Sequence, residues 1–389
     1  MAVTHPDIEP ALLAAAARSV GEAGPLSLRI LASVGRDGEP TEGTVRHVTY
    51  RVDGDTISRD DDPSAIEAAT TLVVLSAASW DQLTSQLRTV VNLHLAGEVT
   101  YERGSFGRLA AWEPALKLLH AGIPVFEPGR ADFGRHDPAA TFTLDASDDE
   151  LRDHLLATGF LHLRHVFDTT EIAAANADID RLADEARPDD DRSWWVTADD
   201  DARVLCRLVY ATQRSEGLAA LAADPRVARL GRLLRADLRW ADDRMEGVAV
   251  LLKAPGKTSG LSNIPWHQDC GMGGHQILCP SASVGISLTG MSAATGNLRV
   301  VPGSHGQTLP YHWESQMSDV PVVEVDTEPG DVTVHVQDVM HASPQPTGEG
   351  GRRTMYVTFL PPTLWDHIGH GEAFNDLIRN RTEQAAALA

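Results

Sequence analysis

The sequence is poor in cysteine and has no long apolar run, and both absences narrow what the protein can be. Cys206, Cys270 and Cys279 are its only cysteines in 389 residues, and a set this odd and sparse is not a disulfide framework. No stretch approaches the ~20 apolar residues of a membrane-spanning helix. The first residues lack the basic start and apolar core of a signal peptide. These absences predict a cytoplasmic protein.

Basic residues are also scarce relative to acidic ones. The chain has 33 Lys and Arg against 55 Asp and Glu, a formal charge of −22. Phosphate backbones and anionic membrane surfaces repel such a chain, which excludes nucleic acid and membrane as expected partners. The apolar share of 42% is ordinary for a globular protein, and the length is typical of two or three domains. We expect a small molecule as the partner.

The N-terminal third alternates predicted strands with helices. Its helices are expected at 10–20, from Trp80 with Ser79 as N-cap, and at 107–121, where Pro114 should kink or split the helix. Its strands are expected at 26–34, 44–52, 56–58 and 71–75, with a turn at 36–39. No ionisable cluster with metal-ligand spacing occurs in this third.

Over about Leu26 to Gly122, this order of elements is similar to sterol-carrier-protein-2-like (SCP2-like) domains. The resemblance implies a small α/β sandwich, which in that family can enclose an apolar cavity. The alternative is a filled core that serves as a scaffold or an oligomerisation surface. Residues 123–140 are rich in proline and glycine and are typical of a linker. We therefore predict two domains, 1–130 and 131–389.

The C-terminal two thirds open with helices and continue with many short strands. Helices are predicted from Ser147, over 169–185 and over 206–234, with a strand at 159–166 and a polar loop at 187–201 bearing Trp194 and Trp195. Further strands are predicted at 248–253, 265–270, 282–289, 297–301, 320–326, 331–337 and 352–360. Short strands separated by turns favour a double-stranded β-helix, or jelly roll. The predicted fold class is thus α+β: a C-terminal jelly roll with flanking helices, preceded by a smaller α/β sandwich.

The stretch Pro265–Asp269 is the strongest candidate for chemistry. His267 and Asp269 are two residues apart, and residues at that spacing on a strand share one face. His341, after an alternating strand, is the best candidate for a third ligand. Two histidines and one carboxylate form the facial triad of non-haem Fe(II) oxygenases, which leaves positions open on the metal. His275 and His305 are competing ligand candidates.

Several motifs follow in order: Pro265-Trp266-His267-Gln268-Asp269, Thr295-Gly296-Asn297 through Pro302-Gly303-Ser304-His305, Pro329-Gly330-Asp331, His341, and Gly351-Arg352-Arg353. This series resembles the phytanoyl-CoA dioxygenase family of Fe(II)/2-oxoglutarate oxygenases over roughly 151–362. The resemblance implies Fe(II), 2-oxoglutarate and O2 as cofactors, with ascorbate as a possible reductant. In such enzymes, oxidation of 2-oxoglutarate to succinate and CO2 is coupled to oxidation of the substrate.

The far carboxylate of 2-oxoglutarate requires a cation in a fixed geometry, which suits arginine. Arg352 lies eleven residues after His341, where the resembled family places its cosubstrate arginine. Ser343 matches the family's hydroxyl partner for the same carboxylate. A plain turn residue before Pro344 is the alternative for Ser343.

Arg352 and Arg353 are adjacent on a strand, so only one can point toward the metal. Hydrophobic alternation puts the Met355, Val357 and Phe359 face in a core, which favours Arg353. If helices cover the outside of the sheet, however, those apolar side chains face the helices. Family spacing also favours Arg352, which we predict to be the cosubstrate ligand.

The resemblance also bears on the reaction. Related halogenases have glycine or alanine at the position of Asp269, so a carboxylate there favours hydroxylation or desaturation. The family often has an aromatic residue where this chain has Gly285, which predicts a wider cavity over the cosubstrate. No basic cluster is available for the phosphates of a CoA thioester, and the expected substrate is small and hydrophobic. The alternatives are a catalytically silent small-molecule binding protein and a cupin-like enzyme that does not use 2-oxoglutarate.

Overall fold

A computed structural model describes residues 8–32, 45–198, 202–254, 263–270, 281–310, 313–316, 319–348 and 350–364. The chain forms two compact units. Unit 1 comprises Met1–Ala131, His275–Leu278 and Gly306–Val320, and unit 2 comprises Asp132–Gly274, Cys279–His305 and Pro321–Ala389. Within the described ranges, no helix has both the length and the apolar character needed to cross a bilayer. The predicted division into domains 1–130 and 131–389 stays a prediction, because unit 1 also includes a segment from late in the chain.

Unit 1 is built on one five-stranded sheet. Strand order is β3-β2-β1-β4-β5, with β1 and β4 parallel and the other neighbours antiparallel. Its strands are β1 (Leu26–Leu31), β2 (Arg46–Asp53), β3 (Thr56–Asp60), β4 (Thr71–Ser76) and β5 (Val99–Arg103). Its helices are α1 (Pro10–Val20), α2 (Ala77–Thr84), α3 (Val90–Leu95) and α4 (Phe106–Ala121), with one turn at Trp313–Gln316.

Two details of the predicted helices in unit 1 are wrong. Helix α2 begins at Ala77 with Ser76 as its N-cap, because the Ser76 hydroxyl accepts the Ser79 amide at 2.9 Å. Helix α4 runs unbroken through Pro114. Trp112, Pro114 and Ala115 are buried, so packing outweighs the ~3 kcal/mol that an interior proline costs a helix.

Unit 2 contains two antiparallel sheets. A seven-stranded sheet has the order β6-β14-β11-β16-β9-β8-β7, and a four-stranded sheet has the order β10-β15-β12-β13. The strands are β6 (Phe160–Leu163), β7 (Ser193–Thr197), β8 (Arg203–Leu208), β9 (Ala249–Lys253), β10 (Ile264–His267), β11 (Ala282–Ser287), β12 (Leu298–Val300), β13 (Val323–Val325), β14 (Val332–Val336), β15 (His341–Ser343) and β16 (Arg352–Phe359). The helices are α5 (Asp148–Thr158), α6 (Thr169–Glu185), α7 (Glu216–Ala222) and α8 (Pro225–Gly231). The predicted α+β class with antiparallel, jelly-roll sheets is confirmed.

The pair β7–β8 corrects the sequence analysis, which predicted a loop at 187–201 and a helix from residue 206. Trp194 and Trp195 lie on β7, and Cys206 lies on β8. The aspartate-rich flanks of these strands mask their short apolar runs. Three other predicted features lie outside the described residues: the turn at 36–39, the glycine-rich loop with His275, and the helix after residue 371.

The two faces of the large sheet differ in chemistry. Met355, Val357 and Phe359 on β16 are fully buried in a core shared with helices α5–α8. Gly231 of α8 lies so close that a Cβ there would be 2.2 Å from the Phe359 ring. The opposite face carries polar and charged side chains, including Arg352. The helices therefore pack on the apolar face of the sheet, and the polar face is available for a functional site.

Asp331 stabilises the edge of this sheet. Its carboxylate accepts the amides of His165 and Glu328, each at 2.9 Å, and lies 3.1 Å from His162 Nε2. Burial acts to raise the pKa of Asp331, but these hydrogen bonds outweigh it and hold the pKa below its ordinary value.

We expect Asp331→Ala to lower the free energy of unfolding by ~3–5 kcal/mol near neutral pH, because it removes one partner of a buried pair. A depressed carboxyl pKa contributes stability above the unfolded pKa of about 4 and loses it as pH falls through the folded value. The difference between wild type and variant should thus shrink in acid. Denaturant titrations across that pH range measure it, and a difference independent of pH would contradict the assignment.

Candidate metal centre

The pairing of β10 with β15 brings the two predicted histidine ligands together. His267 lies directly opposite His341 in the antiparallel register, and the centroids of the two rings are 4.3 Å apart. Asp269 lies two residues beyond the end of β10, where its amide donates to the Gln337 carbonyl at 2.8 Å. The predicted strand 265–270 is therefore too long at its end. The position of Asp269 is set by this backbone hydrogen bond, which lies outside the β10–β15 pairing, and not by strand alternation alone.

The three side chains form a compact donor set. One ligand atom from each of His267, Asp269 and His341 lies within 4.8 Å of the others. His267 Nε2 is 3.2 Å from one carboxylate oxygen of Asp269, and His341 Nε2 is 3.8 Å from the other. This was the one cluster of three such donors found in the described ranges. Two imidazoles and a carboxylate suit Fe(II).

Backbone carbonyls orient both imidazoles. His267 Nδ1 is 2.8 Å from the Pro265 carbonyl, and His341 Nδ1 is 3.0 Å from the Val339 carbonyl. A carbonyl can only accept, so each Nδ1 donates its proton, and each Nε2 can bind a metal in its deprotonated form. Such partners fix the tautomer of a metal-binding histidine. The donor set thus fits a metal on the Nε2 side.

The protonation states of these groups also suit metal binding. Burial, with the nearby His267, lowers the pKa of His341 to about 3. Burial acts to raise the pKa of Asp269, but the charge of His341 and hydrogen bonds from His267 and His335 hold it well below its ordinary value. For His267, burial is outweighed by the hydrogen bond to Asp269, and the pKa is raised. A neutral His341 beside an ionised Asp269 is what ligation requires.

His335 is a member of the site that sequence reasoning missed. Its Nε2 lies 3.4 Å from the Asp269 carboxylate, and its ring centroid is 4.6 Å from that of His341. The signal was present in the alternation of β14, where valines occupy one face and Thr333 and His335 the other. His335 is placed to orient Asp269.

We expect His335→Ala to weaken metal binding by roughly 10–100-fold, the usual effect of removing a group that orients a ligand. His335→Gln keeps a donor of similar reach and should recover most of the affinity. Competition with a chelating dye measures both variants. Equal affinity in wild type and His335→Ala would show that His335 only fills space.

Arg352 is fully buried and faces the metal side of the sheet. Its guanidinium donates to the Gly296 carbonyl at 2.6 Å and to the Ser343 hydroxyl at 2.7 Å. It also donates to Tyr356 Oη at 2.9 Å and to the Thr354 hydroxyl at 3.0 Å. None of these partners carries a negative charge.

Arg353 points the other way. Its guanidinium lies 2.7 Å from an Asp180 carboxylate oxygen and 3.3 Å from Asn176, both on helix α6. The described part of the chain contains no salt bridge to Arg352. A buried guanidinium without a carboxylate partner needs an anion to offset its desolvation, so Arg352, unlike Arg353, is placed to bind one.

Tyr356 occupies the space beside Gly285. A Cβ at Gly285 would lie 2.8 Å from the Tyr356 ring and 2.8 Å from the Thr333 hydroxyl. The wider cavity predicted from Gly285 is therefore wrong at this point, because a ring from the neighbouring strand fills it. The same tyrosine also accepts the hydrogen bond from Arg352 described above.

His305 takes no part in the cluster. Its Nε2 is 3.0 Å from the Leu156 carbonyl, and burial lowers the pKa of this histidine. As a ligand candidate, His305 is not supported by this geometry.

One protein family and several solved structures are similar to this chain. The profile of the Phytanoyl-CoA dioxygenase (PhyH) family matches residues 156–354, which are 199 of the 389 residues. The search of curated proteins found no match. AviO1 from Streptomyces viridochromogenes Tue57 is 22% identical with a TM-score of 0.46, covering 56% of this chain and 96% of that chain.

Two further solved structures are similar at the same level. The non-heme alpha ketoglutarate dependent epimerase SnoN from nogalamycin biosynthesis is 20% identical with a TM-score of 0.44, over 55% of this chain and 82% of that chain. EctD from S. alaskensis with bound Fe is 20% identical with a TM-score of 0.44, over 61% of this chain and 82% of that chain. Since the family profile spans more than half of the sequence and includes all three donor residues, the chain belongs to the phytanoyl-CoA dioxygenase (PhyH) family of Fe(II)- and 2-oxoglutarate-dependent oxygenases.

Proposed function

We propose that this oxygenase hydroxylates or desaturates a small hydrophobic molecule, with His267, Asp269 and His341 as its iron ligands. The observation that supports this best is that strand β15 contributes both to a metal-ligand set and to the surroundings of a buried, unpaired arginine. A three-residue donor set comprises His267 on β10, Asp269 just after β10 and His341 on β15. Arg352, buried and without a carboxylate partner in the described structure, donates to Ser343 on the same β15. A metal ion would bind the donor set, and a carboxylate of a dianion such as 2-oxoglutarate would pair with Arg352.

Each of these side chains then has a defined task. The two histidines and Asp269 hold the metal from one side, while Arg352 and the Ser343 hydroxyl hold the far carboxylate of 2-oxoglutarate. Fe(II), 2-oxoglutarate and O2 together supply the oxidising power, with succinate and CO2 as co-products. Tyr356 and Thr354 fix the guanidinium, so little side-chain entropy is lost when the anion binds.

Asp269 supports oxygenation over halogenation. A carboxylate occupies the position that halogenases leave to chloride. The Asp269 amide donates to the Gln337 carbonyl, and the Asp269 carboxylate lies 3.4 Å from His335 Nε2, so both contacts hold the residue in place. Hydroxylation and desaturation both begin with removal of hydrogen from the substrate, and product analysis distinguishes them.

The N-terminal domain, residues 1–130, is proposed to be SCP2-like. Its five-stranded sheet flanked by helices supports that proposal. A continuous apolar core that includes Trp112, Tyr50 and Leu93 favours the scaffold alternative over a ligand cavity. A cytoplasmic location and a small-molecule partner complete the proposal.

The test is succinate production from 2-oxoglutarate by the purified protein, with and without added Fe(II), a chelator, and a panel of small hydrophobic compounds. We expect iron-dependent succinate that increases with a true substrate. Metal-dependent turnover that leaves 2-oxoglutarate untouched would point to a cupin-like enzyme. A protein that binds the compounds but neither metal nor 2-oxoglutarate would be a silent binding protein.

A further inference from the structure

Arg207 is a half-buried arginine for which the proposed mechanism gives no role. Lys253 of β9 lies directly opposite Arg352 of β16. Two residues earlier on β9, Leu251 lies directly opposite Arg207 of β8. Directly opposite residues of an antiparallel pair share one face of the sheet, and so do residues two apart on a strand. Arg207 therefore extends from the polar face that carries Arg352, and not from the face that packs against the helices.

The guanidinium of Arg207 is held from two sides. It stacks on the buried indole of Trp194, with its Cζ 4.8 Å from the ring centroid, and its Nη1 donates to Glu246 Oε2. Within the described part of the chain, Arg207 Nε, Arg207 Nη2 and Glu246 Oε1 form no hydrogen bond. All three atoms are accessible, in side chains that are 18% and 28% exposed. The pair therefore presents free N–H donors beside a free carboxylate oxygen.

The charge of Arg207 reaches the metal centre. After burial and the contacts of His267 with its own neighbours, the charge of Arg207 also acts on the pKa of His267. Burial, and then the charges of Arg352 and Arg207, lower the pKa of Lys253 to about 6. Such effects weaken with distance. Together with the shared face of the sheet, they place the Arg207–Glu246 pair beside the metal centre, on its β8 side.

A strained turn holds Glu246 in front of Arg207. Tyr210 and Met245 have left-handed φ angles of 52° and 54°, a conformation that is costly for residues other than glycine. The Tyr210 amide donates to the Glu246 carbonyl at 2.9 Å, and the Tyr210 hydroxyl donates to the Met245 carbonyl at 2.6 Å. Gly247 follows with φ 61°, and a Cβ there would lie 2.8 Å from the Tyr210 ring. Strain of this kind is typical of functional sites, and an ordinary surface ion pair does not require it.

We propose that Arg207 and Glu246 determine substrate specificity by binding a hydroxyl group of a hydrophobic substrate. The inference rests on the proposed function and specifies the class of its substrate, an alcohol. A hydroxyl both accepts and donates a hydrogen bond, so it can accept from a free N–H of Arg207 and donate to Glu246 Oε1. The pair carries no net charge, so an uncharged group binds without leaving a charge unbalanced.

The same pair disfavours charged groups. A carboxylate only accepts hydrogen bonds, and the charge of Glu246 repels it. An ammonium group only donates, and the charge of Arg207 repels it. A ketone oxygen can accept from Arg207 but offers no donor to Glu246 Oε1, so it should bind less tightly than the alcohol.

Anaerobic calorimetry tests this preference on the protein loaded with Fe(II) and saturating 2-oxoglutarate. The first series of probes is 1-adamantanol, 1-adamantanecarboxylate and 1-adamantylamine, and the second is 1-octanol, octanoate and 1-octylamine. Within a series the apolar part is shared and the polar group differs. In whichever series binds wild type, the alcohol should bind about tenfold or more tightly than the carboxylate and the amine.

Two variants should shift this preference in opposite directions. Arg207→Met keeps a long side chain over Trp194 but leaves Glu246 without its cation, so the variant should favour the amine. Glu246→Gln keeps the shape of the side chain but leaves Arg207 without its anion, so the variant should favour the carboxylate. In both variants the alcohol should bind about tenfold or more weakly than it does to wild type. The ratio of carboxylate to amine affinity should differ between the two variants by about 100-fold, two factors of ten.

Arg244→Met is the matched control, because it removes an arginine that pairs with Asp243 in the same turn. An exposed pair of this kind contributes little, so the affinities for all probes should stay within about twofold of wild type. Glu246→Gln is close to isosteric, so the prediction for the carboxylate survives even if Arg207→Met does not fold.

The outcomes separate this inference from the proposed function. A purely structural role of the pair would change the affinities for all three groups together, and that result in both variants would overturn the inference. Absence of binding by every probe to a wild type that binds 2-oxoglutarate would also overturn it and leave the oxygenase assignment intact. A wild type that binds neither Fe(II) nor 2-oxoglutarate would overturn the assignment and the inference with it.

Discussion

Replacing Arg352 with alanine should raise the apparent constant for 2-oxoglutarate by roughly 30-fold or more. Truncating one member of a desolvated charge pair costs ~2–5 kcal/mol, and each ~1.4 kcal/mol is a factor of ten. The metal ligands do not contact this guanidinium in the hydrogen bonds described, so metal affinity should change little. Succinate production at varied 2-oxoglutarate, with iron content measured in parallel, gives both quantities.

Arg353→Ala is the matched control, because it removes the same side chain one residue away on the opposite face. Its guanidinium pairs with Asp180 on helix α6, and an exposed pair of this kind contributes ~0–1 kcal/mol. The 2-oxoglutarate constant should stay within about twofold of wild type. The reverse pattern, with Arg353→Ala the damaging change, would mean that β16 presents its other face to the cosubstrate.

Replacing Asp269 with alanine should abolish succinate production and remove most of the bound iron. The change deletes the charged member of a three-ligand set and leaves two neutral imidazoles. It also removes the acceptor that His335 and His267 share. Inductively coupled plasma analysis of the purified variant measures the metal, and circular dichroism establishes that the fold survives.

His305→Ala controls for the loss of a histidine outside the centre. Its ring contacts the Leu156 carbonyl and none of the three ligands in the contacts described. Iron content should match that of wild type. If His305→Ala lost iron while Asp269→Ala kept it, the ligand set would have to be reassigned.

The sequence predicted the donor set because its ligands are tied to local signals. His267 and Asp269 belong to one short motif, and His341 follows a strand whose alternation is clear. The choice of Arg352 over Arg353 needed an argument about which face the helices cover, and the burial of Met355, Val357 and Phe359 against them agrees with it. The cofactor role of Arg352 stays a prediction.

What the sequence could not give was long-range pairing. The opposition of Lys253 and Arg352 depends on the register of β9 against β16, and nothing in either strand specifies it. Likewise, Tyr356 fills the space beside Gly285 only because β11 and β16 are neighbours. Strands β7 and β8 were missed because acidic flanks outweighed their short apolar runs. Each miss concerns a contact made across the sheet.

The register that sets His267 opposite His341 also links the metal to folding. The two ligands are 74 residues apart in sequence, and they meet only when β10 has paired with β15. The unfolded chain offers no such pair, so a metal that binds the native state alone stabilises it by RT ln(1 + [metal]/Kd). Removing iron should therefore lower the melting temperature. The size of that shift would measure how strongly the metal stabilises the pairing of β10 with β15.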